Sequence, residues 1–261
     1  MLNEILALSN QQFVAFFLAF LRILALIFVA PILGSRSIPI QSKIFFAMFL
    51  SICVWPLIKN QPVTPNLELT ALTFLSAREV LLGLFFGYNA KLIFEGFQFA
   101  GRLIGNQMGL GVAELIDPES GVQVSSIGNF YNLIGVVLFL TLNGHHYLLT
   151  ALYKSFEIAP VGSGRLVSVL AKERLLSNFD DIFTVAIKLA APSMAVLFLI
   201  EVGMGILARI VPQMNIFFIG LPVRLGLGMF ILVASLPMFY ILFQTILKAW
   251  QGKVTGLMLL F

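Results

Sequence analysis

Charged residues and cysteine are both scarce in this chain. Of its 261 residues, 11% are Asp, Glu, Lys or Arg, whereas a soluble domain carries about 25%. So few charged side chains cannot cover a surface that faces water, which excludes an ordinary soluble globular protein. The single cysteine, Cys53, excludes an intrachain disulfide, and its apolar surroundings predict a small core residue.

Basic runs, catalytic motifs and a cleavable leader are missing as well. The net charge is +4, but the 16 Lys and Arg residues are scattered, which argues against a nucleic-acid or anionic-lipid site. No P-loop, GxSxG or HExxH motif occurs, so we expect a protein that is not an enzyme and that holds no cofactor and no metal ion. Residues 1–12 lack the basic segment of a signal peptide, so the first apolar run is expected to stay in the protein.

Apolar sequence is what the chain has in abundance. Hydrophobic residues make up 59% of it, with 26 Phe. Six apolar blocks are each near or above the ~20 residues that a spanning helix needs: residues 13–33, 38–58, 67–95, 127–150, 182–212 and 214–247. Pro192 and Pro237 lie inside two blocks and predict kinks. The chain is therefore predicted to be an all-α integral membrane protein, with a single membrane domain over residues 1–261.

Two more polar stretches, residues 96–126 and 153–181, separate the blocks. In the second we predict a short amphipathic helix over 165–177, with Lys172, Glu173 and Arg174 facing water. Lys and Arg are almost evenly divided between the two sides of a six-span topology, so their distribution sets no orientation. Either the span count is wrong, or the protein is not an ordinary up-and-down bundle.

Ionisable residues also occur inside the apolar blocks. The run 182–212 carries Lys188, Glu201 and Arg209, and each charge costs about 2.5–3.5 kcal/mol at the centre of a lipid-exposed helix. Other helices are therefore expected to shield these intramembrane charges. Glu201 and Arg209 are two turns apart on nearly the same face, and both a structural pair and an ion path remain open for them.

Two further charge pairs lie in the third block. Lys91 and Glu95 are four residues apart and can pair on one helix face, which we interpret as structural. Arg78 and Glu79 are adjacent, so their side chains are expected to point to different sides of a helix.

Glycines recur at intervals of four residues in two places. Gly83 and Gly87 form one pair, and Gly101, Gly105 and Gly109 form a longer row. Residues four apart share a helix face, and glycine lets two helix backbones approach closely. Both sets predict close helix packing, either within the chain or at a subunit interface.

The segment 109–121 interrupts the helical pattern. Its three glycines and the Asp-Pro step at 117–118 predict non-helical backbone. At membrane depth such backbone is tolerated only inside protein or beside a water-filled cavity. An ordinary surface loop and a re-entrant loop that narrows a channel both fit this pattern.

His145 and His146 lie beside Tyr147 at the end of the fourth block. Adjacent histidines can bind a metal ion, but no Cys, Asp or Glu stands at ligand spacing nearby. We therefore expect them at the polar rim of the membrane with the tyrosine.

Five segments, in order along nearly the whole chain, resemble the FliR family of flagellar export-gate proteins, which is related to the corresponding subunit of virulence type III secretion systems. They read LRILALIFVAPILGSRSIP (21–39), REVLLGLFFGY (78–88), AGRLIGNQMGLGVAELIDP (100–118), FLTLNGHHYLL (139–149) and EVGMGILARIVPQMNIFFIGLPVRL (201–225). No single segment is diagnostic, but five in this order are specific.

The resemblance implies a noncatalytic subunit of the flagellar basal body in the bacterial inner membrane, with part of its mass toward the periplasm. One copy would join FliP-like and FliQ-like subunits in an oblique helical stack of hairpins around the secretion channel. FlhA-like and FlhB-like proteins would complete the gate, and unfolded flagellar proteins would be the cargo. The chain itself would consist of a FliP-like part followed by a FliQ-like part.

The resemblance also implies that the segment 109–121 projects into the channel and helps to close it at rest. The plug residues would be Val112, Leu115, Ile116, Asp117 and Pro118, a slimmer set than the aromatics of some relatives. An apolar constriction of this kind dewets and so blocks small ions.

Two alternative functions do not depend on the resemblance. A small-solute or ion transporter would use Lys188, Glu201 and Arg209 near the middle of the membrane. An intramembrane enzyme would use His145, His146 or Glu201.

Overall fold

The computed structural model of the chain consists of long helices. It describes residues 2–59, 69–111, 125–162, 169–213 and 215–258, and the regular elements within these ranges are all α-helices. In order they are α1 (Leu2–Val29), α2 (Ile40–Ile58), α3 (Leu69–Gln107), α4 (Ser126–Thr141), α5 (Gly144–Ile158), α6 (Val169–Ile210) and α7 (Ile216–Met258).

Five of these helices are long and apolar enough to cross a membrane. The spans are Gln11–Val29, Ile40–Ile58, Thr70–Gln107, Ala186–Ile210 and Phe218–Gly252. Helices α4 and α5 meet at a bend of 68° and supply a sixth span if the pair is counted as one. The prediction of an all-α integral membrane protein is confirmed, and the six apolar blocks correspond to these five spans and the bent pair.

The break between α4 and α5 lies at Asn143. Its φ of 57° is in the left-handed region, which asparagine tolerates better than most residues. Helix α4 begins at the cap residue Ser125, whose side chain accepts a hydrogen bond from the Gly128 backbone N–H. The apolar block 127–150 is therefore two helices with a sharp turn between them.

Two helices extend well beyond the predicted blocks. Helix α3 continues to Gln107 instead of ending near residue 95, and α6 begins at Val169. The predicted short helix over 165–177 is therefore wrong as a separate element, since no glycine or proline interrupts residues 169–191 and polar side chains alone do not end a helix. Residues 165–168 and the side chains of residues 172–174 lie outside the described part of the chain.

Prolines lie inside three helices: Pro56 in α2, Pro192 in α6, and Pro222 and Pro237 in α7. Each of these helices continues past its prolines, and the predicted kinks at Pro192 and Pro237 stay predictions.

The chain divides into two compact units, each made of separate stretches of sequence. The first comprises residues 1–92, 143–178 and 249–261, and the second comprises residues 93–142 and 179–248. Small side chains of α1, such as Ala15 and Ala19, are buried in the first unit. There α1 packs along α2, and Phe16 meets Trp55 edge-on with ring centroids 6.0 Å apart.

Aromatic rings fill the core of the second unit. Phe97 of α3 lies against Phe239 and Phe243 of α7, with ring centroids 4.7 and 5.1 Å away. Tyr131 of α4 stacks on Phe239 at 5.1 Å, and its hydroxyl lies 3.3 Å from Ser235 Oγ. Ring pairs at such separations contribute about 0.5–1.5 kcal/mol each beyond the burial of their area.

Helices α2, α6 and α7 expose large apolar side chains, among them Phe45, Leu199 and Phe230. In a membrane protein such surface faces acyl chains or other subunits. Cys53 is exposed on α2, so the prediction of a core cysteine is wrong. It lies off the stripe by which α2 packs, formed by Lys43, Ala47, Ser51, Val54 and Ile58.

Candidate functional site

Polar side chains form two clusters among the described residues, one in each unit. The Arg22 cluster of the first unit consists of Arg22, Arg78, Glu79 and Ser155. The Glu201 cluster of the second unit consists of Gln107, Glu201 and Arg224.

The Arg22 cluster is built on a completely buried ion pair. Arg22 Nε donates a hydrogen bond to Glu79 Oε2 at 2.6 Å, and Nη2 lies 2.5 Å from the same oxygen. Both side chains have 0% exposure. Removing one partner of such a pair costs about 3–5 kcal/mol, because the other charge is left buried without compensation.

The remaining donors of Arg22 bind the last turn of α5. Nη1 donates to the Ser155 carbonyl oxygen at 2.9 Å and to Ser155 Oγ at 3.2 Å, and Nη2 donates to the Ala159 carbonyl oxygen at 2.9 Å. The guanidinium also lies over the Phe156 ring, 4.4 Å from its centroid. A cation at the C-terminal end of a helix satisfies its free carbonyls and its dipole. Arg22 thereby joins α1, α3 and α5.

Arg78 brings a second guanidinium to the same carboxylate. Its Nη1 lies 3.9 Å from Glu79 Oε1, and its side chain is 4% exposed. The prediction that adjacent Arg78 and Glu79 point to different sides is wrong for their charged ends. The long arginine side chain spans the angle between the two positions.

Sequence reasoning did not single out Arg22. The available signal was its isolation, because it is the only ionisable residue in the block 13–33. A lone arginine in an apolar span requires a counter-charge from another helix, but the sequence does not show which acidic residue supplies it.

The Glu201 cluster joins three helices through one carboxylate. Gln107 Nε2, at the end of α3, donates to Glu201 Oε2 of α6 at 3.1 Å. Arg224 Nη2 of α7 lies 3.1 Å from Glu201 Oε1. The side chains of Glu201 and Arg224 are 46% and 29% exposed. This cluster is therefore open on one side, unlike the Arg22 cluster.

Glu201 pairs with Arg224 and not with Arg209. Eight residues along a helix turn a side chain by about 80°, which carries Arg209 away from Glu201, whereas Arg224 comes from a different helix. Lys188 and Arg209 are exposed, and neither forms an ion pair among the residues that the structure describes. The suggested pair of Lys91 and Glu95, one turn apart in α3, stays a prediction.

Gly83 and Gly87 face α1 within the first unit. A Cβ at Gly87 would lie 2.8 Å from the Leu26 carbonyl oxygen, and one at Gly83 would overlap the Arg22 carbonyl oxygen. Real Cβ atoms do not approach so closely, so a side chain at either position would push α1 and α3 apart.

Gly101 and Gly105 face the start of α4 within the second unit. A Cβ at Gly101 would lie 2.6 Å from the Gly128 Cα and 2.7 Å from the Ile127 carbonyl oxygen. One at Gly105 would lie 3.0 Å from Ser125 Oγ. At these two positions the row therefore packs against its own chain.

Gly109 ends helix α3. Its φ of 87° is in the left-handed region, where glycine is the default residue. The Gly109 N–H bonds to the Asn106 carbonyl at 3.0 Å, and the Leu110 N–H bonds to the Gly105 carbonyl at 3.0 Å. This is the hydrogen-bond pattern of a Schellman motif, which satisfies the last carbonyls of a helix.

The same turn rests on α7. Met108 has 0% exposure, and a Cβ at Gly228 would come within 2.6 Å of the Met108 Cγ. A Cβ at Gly109 would lie 2.8 Å from Leu221 Cδ1. Residues 107–109 thus meet Leu221, Gly228 and, through Glu201, Arg224, which recur every three or four residues on one face of α7.

The residues of the predicted plug, Val112, Leu115, Ile116, Asp117 and Pro118, lie outside the described part of the chain. The structure describes what precedes and follows them. Gly111 is the last described residue before them, and Ser125 at the start of α4 is the first one after.

His145 and His146 lie in the first turn of α5. Their rings are edge-on with centroids 4.3 Å apart, and His145 Nδ1 is buried with no hydrogen-bond partner within the described ranges. The described residues include no group of three or more His, Cys, Asp or Glu that could hold a metal ion. The two histidines stand at the 68° bend between α4 and α5.

Comparison with known proteins identifies relatives along almost the whole chain. The family described as "Bacterial export proteins, family 1" matches residues 13–250. The chain is 33% identical over 242 residues to the flagellar biosynthetic protein FliR of Bacillus subtilis, covering 90% of each protein. It is 32% identical over 237 residues to FliR of Escherichia coli, covering 89% of this chain and 90% of that protein.

A relative with a different printed role is also similar. The surface presentation of antigens protein SpaR of Shigella flexneri is 35% identical over 162 residues, which covers 61% of each chain.

Proposed function

Because the chain belongs to the bacterial export proteins, family 1, we propose that it is a core, noncatalytic subunit of the gate through which unfolded flagellar proteins are exported. It would act as a single export-gate domain over residues 1–261, in the inner membrane at the flagellar basal body. Its companions would be FliP-like and FliQ-like subunits, with FlhA-like and FlhB-like proteins beside them.

The observation that supports an assembly of several subunits is the surface of α6. Lys188 and Arg209 lie at the two ends of its span Ala186–Ile210, where long side chains reach the membrane surface. Glu201 lies away from both ends, is 46% exposed and shares the helix with exposed apolar residues such as Leu199. A charged group in contact with acyl chains at that depth is costly and usually pairs or faces the protein interior. Neighbouring subunits would supply that protein environment.

The first experiment tests the assembly. The tagged full-length chain is purified from its own membranes in mild detergent, and the proteins that come with it are identified. Copurification of FliP-like and FliQ-like subunits in a constant ratio to the tagged chain would agree with the proposal. A solitary folded chain that supports export without them would contradict it.

The plug proposal concerns Val112, Leu115 and Ile116, which would partly plug the channel at rest. Replacing bulky apolar side chains by glycine widens an apolar constriction and lets water and ions enter. We expect the double variant Val112→Gly, Leu115→Gly to raise the resting ion leak of cells that contain the assembled complex.

The matched control keeps the same two positions apolar and bulky, as Val112→Ile with Leu115→Met. This control should leave the membrane as tight as the unaltered protein does. Equal leak from the glycine and control variants, at equal levels of assembled complex, would reject the plug.

A further inference from the structure

Helix α3 has a polar face in the second unit. Polar side chains recur there every three or four residues, at Glu95, Gln98, Arg102 and Asn106. At 100° per residue they lie within an arc of about 80°, and they extend over about 16 Å of the helix. Arg102 and Asn106 are exposed, and Glu95 and Gln98 are partly exposed. These four residues form the polar face of α3.

The start of α4 lies beside this face. A Cβ at Gly128 would lie 3.4 Å from the Cγ atoms of Gln98 and Arg102, so the two helices touch at its edge. Asn132 follows Gly128 by one turn on the same side of α4 and is partly exposed, and Asn129 is exposed. The polar face of α3 and these two asparagines together form one polar surface.

Exposed side chains of α6 and α7 in the second unit are, by contrast, mostly large and apolar. Leu199 and Val233 are 67% and 65% exposed, and Phe198 and Phe230 are exposed on the same two helices. Such faces suit acyl chains or apolar helices. The polar surface does not, although α3 contributes to it from within the span Thr70–Gln107. Ionisable side chains in a spanning segment almost always face the protein interior or a water-filled cavity.

The composition of the polar surface favours water over a packed helix. Helices pack closely in membranes through small residues, and Gly101 and Gly105 of α3 are turned toward α4. The polar surface instead consists of larger side chains that end in amides, one carboxylate and one guanidinium. Asn and Gln amides both donate and accept hydrogen bonds, so they bind water and the backbone of an extended peptide of any sequence.

We propose that the polar surface of α3 and α4 lines a water-filled path and contacts the backbone of unfolded polypeptides that pass along it. The nature of the polypeptide rests on the proposed function, whereas the contact with water does not. Amide groups that bind any backbone weakly suit such a path, because transport requires that each bound segment is also released.

The first test is the reaction of single cysteines with a charged, membrane-impermeant thiol reagent in the assembled complex. Cys53→Ser removes the native thiol, and Arg102→Cys or Asn129→Cys then places one cysteine on the polar surface. Leu199→Cys and Val233→Cys are the matched controls, because these positions are well exposed in the chain but lie on apolar faces. The reagent is applied from each side of the membrane, with spheroplasts and with inverted vesicles.

We expect the two cysteines of the polar surface to react about tenfold or more faster than the controls from at least one side, because the reagent attacks a thiolate in contact with water. All four cysteines should react after denaturation, which shows that the thiols are intact. Equal rates at polar and apolar positions, or reaction of the polar surface only after denaturation, would overturn the inference.

The second test identifies the molecule that contacts the surface during export. A photoreactive amino acid replaces Gln98 in one variant and Val233 in its control. The cells contain a flagellar export substrate fused to a stably folded domain, which arrests it during export. We expect a cross-link to the arrested substrate from position 98 and none from position 233. A cross-link from position 98 to another subunit alone would overturn the inference and indicate an interface.

The outcomes separate this inference from the proposed function. A chain that copurifies with FliP-like and FliQ-like subunits, but whose polar surface reacts no faster than the controls, would overturn the inference and leave the proposed function supported. Fast reaction without a cross-link to the arrested substrate would overturn the contact with polypeptide. If the substrate is also exported in cells that lack this chain, the proposed function fails with it.

Discussion

The two polar clusters pair their charged groups in different ways. In the Arg22 cluster a carboxylate and a guanidinium with 0% exposure satisfy each other, and carbonyl oxygens of α5 take the remaining donors. In the Glu201 cluster the carboxylate is 46% exposed and holds one amide and one guanidinium. The first arrangement is suited to a permanent core, and the second to a contact whose strength depends on its surroundings.

The two charged pairs differ in how much they contribute to stability, because one is buried and the other is half-exposed. A buried pair is costly to break, at about 3–5 kcal/mol, because the surviving charge has no water. A half-exposed pair contributes about 0–1 kcal/mol, since water replaces the lost partner. Loss of Arg22 should therefore unfold the first unit, whereas loss of Glu201 should leave the fold intact.

The largest effect is expected from breaking the buried pair. Arg22→Met leaves Glu79 buried with only the Arg78 guanidinium, 3.9 Å away, as a counter-charge, so we expect a loss of about 3 kcal/mol, the lower end of the range for a broken buried pair, and little folded protein. The measurement is the yield of protease-resistant chain in mild detergent.

The double variant Arg22→Met with Glu79→Met tests how much of this loss comes from the unpaired carboxylate. It removes both charges of the pair and should recover part of the lost stability, but not all of it, because Arg78 stays buried without the Glu79 carboxylate. A double variant no better than the single one would show that the contacts of Arg22 to α5 carry most of the stability.

An intermediate effect is expected at the closest helix approach. Gly83→Ala places a Cβ against the Arg22 carbonyl oxygen, and overpacking of this kind costs about 1–3 kcal/mol. Gly203→Ala in α6 is the matched control, since nothing lies within 4 Å of its Cβ position. Thermal aggregation in detergent should occur at a lower temperature for the first variant and at an equal or higher one for the control, because alanine favours a helix over glycine.

The smallest effect on stability is expected at the open cluster. Glu201→Gln keeps an acceptor for Gln107 and removes the charge opposite Arg224, so the stability should fall by about 1 kcal/mol or less. The same detergent assay should barely separate it from the unaltered protein. A loss as large as that of Arg22→Met would erase the distinction between the two clusters.

Residue patterns predicted part of the fold. Apolar blocks of sufficient length placed the spans, because a bilayer sets a minimum length for any helix that crosses it. The resemblance to the FliR family, drawn from five segments, is confirmed by the matched family and by the relatives from Bacillus subtilis and Escherichia coli. Helix ends were harder to predict from the sequence, as the ends of α3 and α6 and the break at Asn143 show.

The partners of the charges could not be read from patterns. The spacing in α6 suggests Arg209 as a possible partner of the intramembrane charge Glu201, yet Arg224 of α7 binds it. Arg22 and Glu79 are separated by 57 residues, and nothing in the intervening sequence indicates that they meet. A side chain's partner depends on how helices cross, which local spacing does not encode.

Composition and periodicity alone determine that this protein is helical and apolar enough to lie in a membrane, because those properties depend on the length and polarity of each segment. Its family follows from the resemblance of five segments, and not from composition. Tertiary structure alone decides that Arg22 binds Glu79 and the end of α5, and that Glu201 contacts Gln107 of α3 and Arg224 of α7. The two kinds of property differ in how far apart in the sequence the residues that determine them lie. Transfer of a segment into lipid is a sum over its own residues, whereas an ion pair between distant residues exists only once their helices have packed.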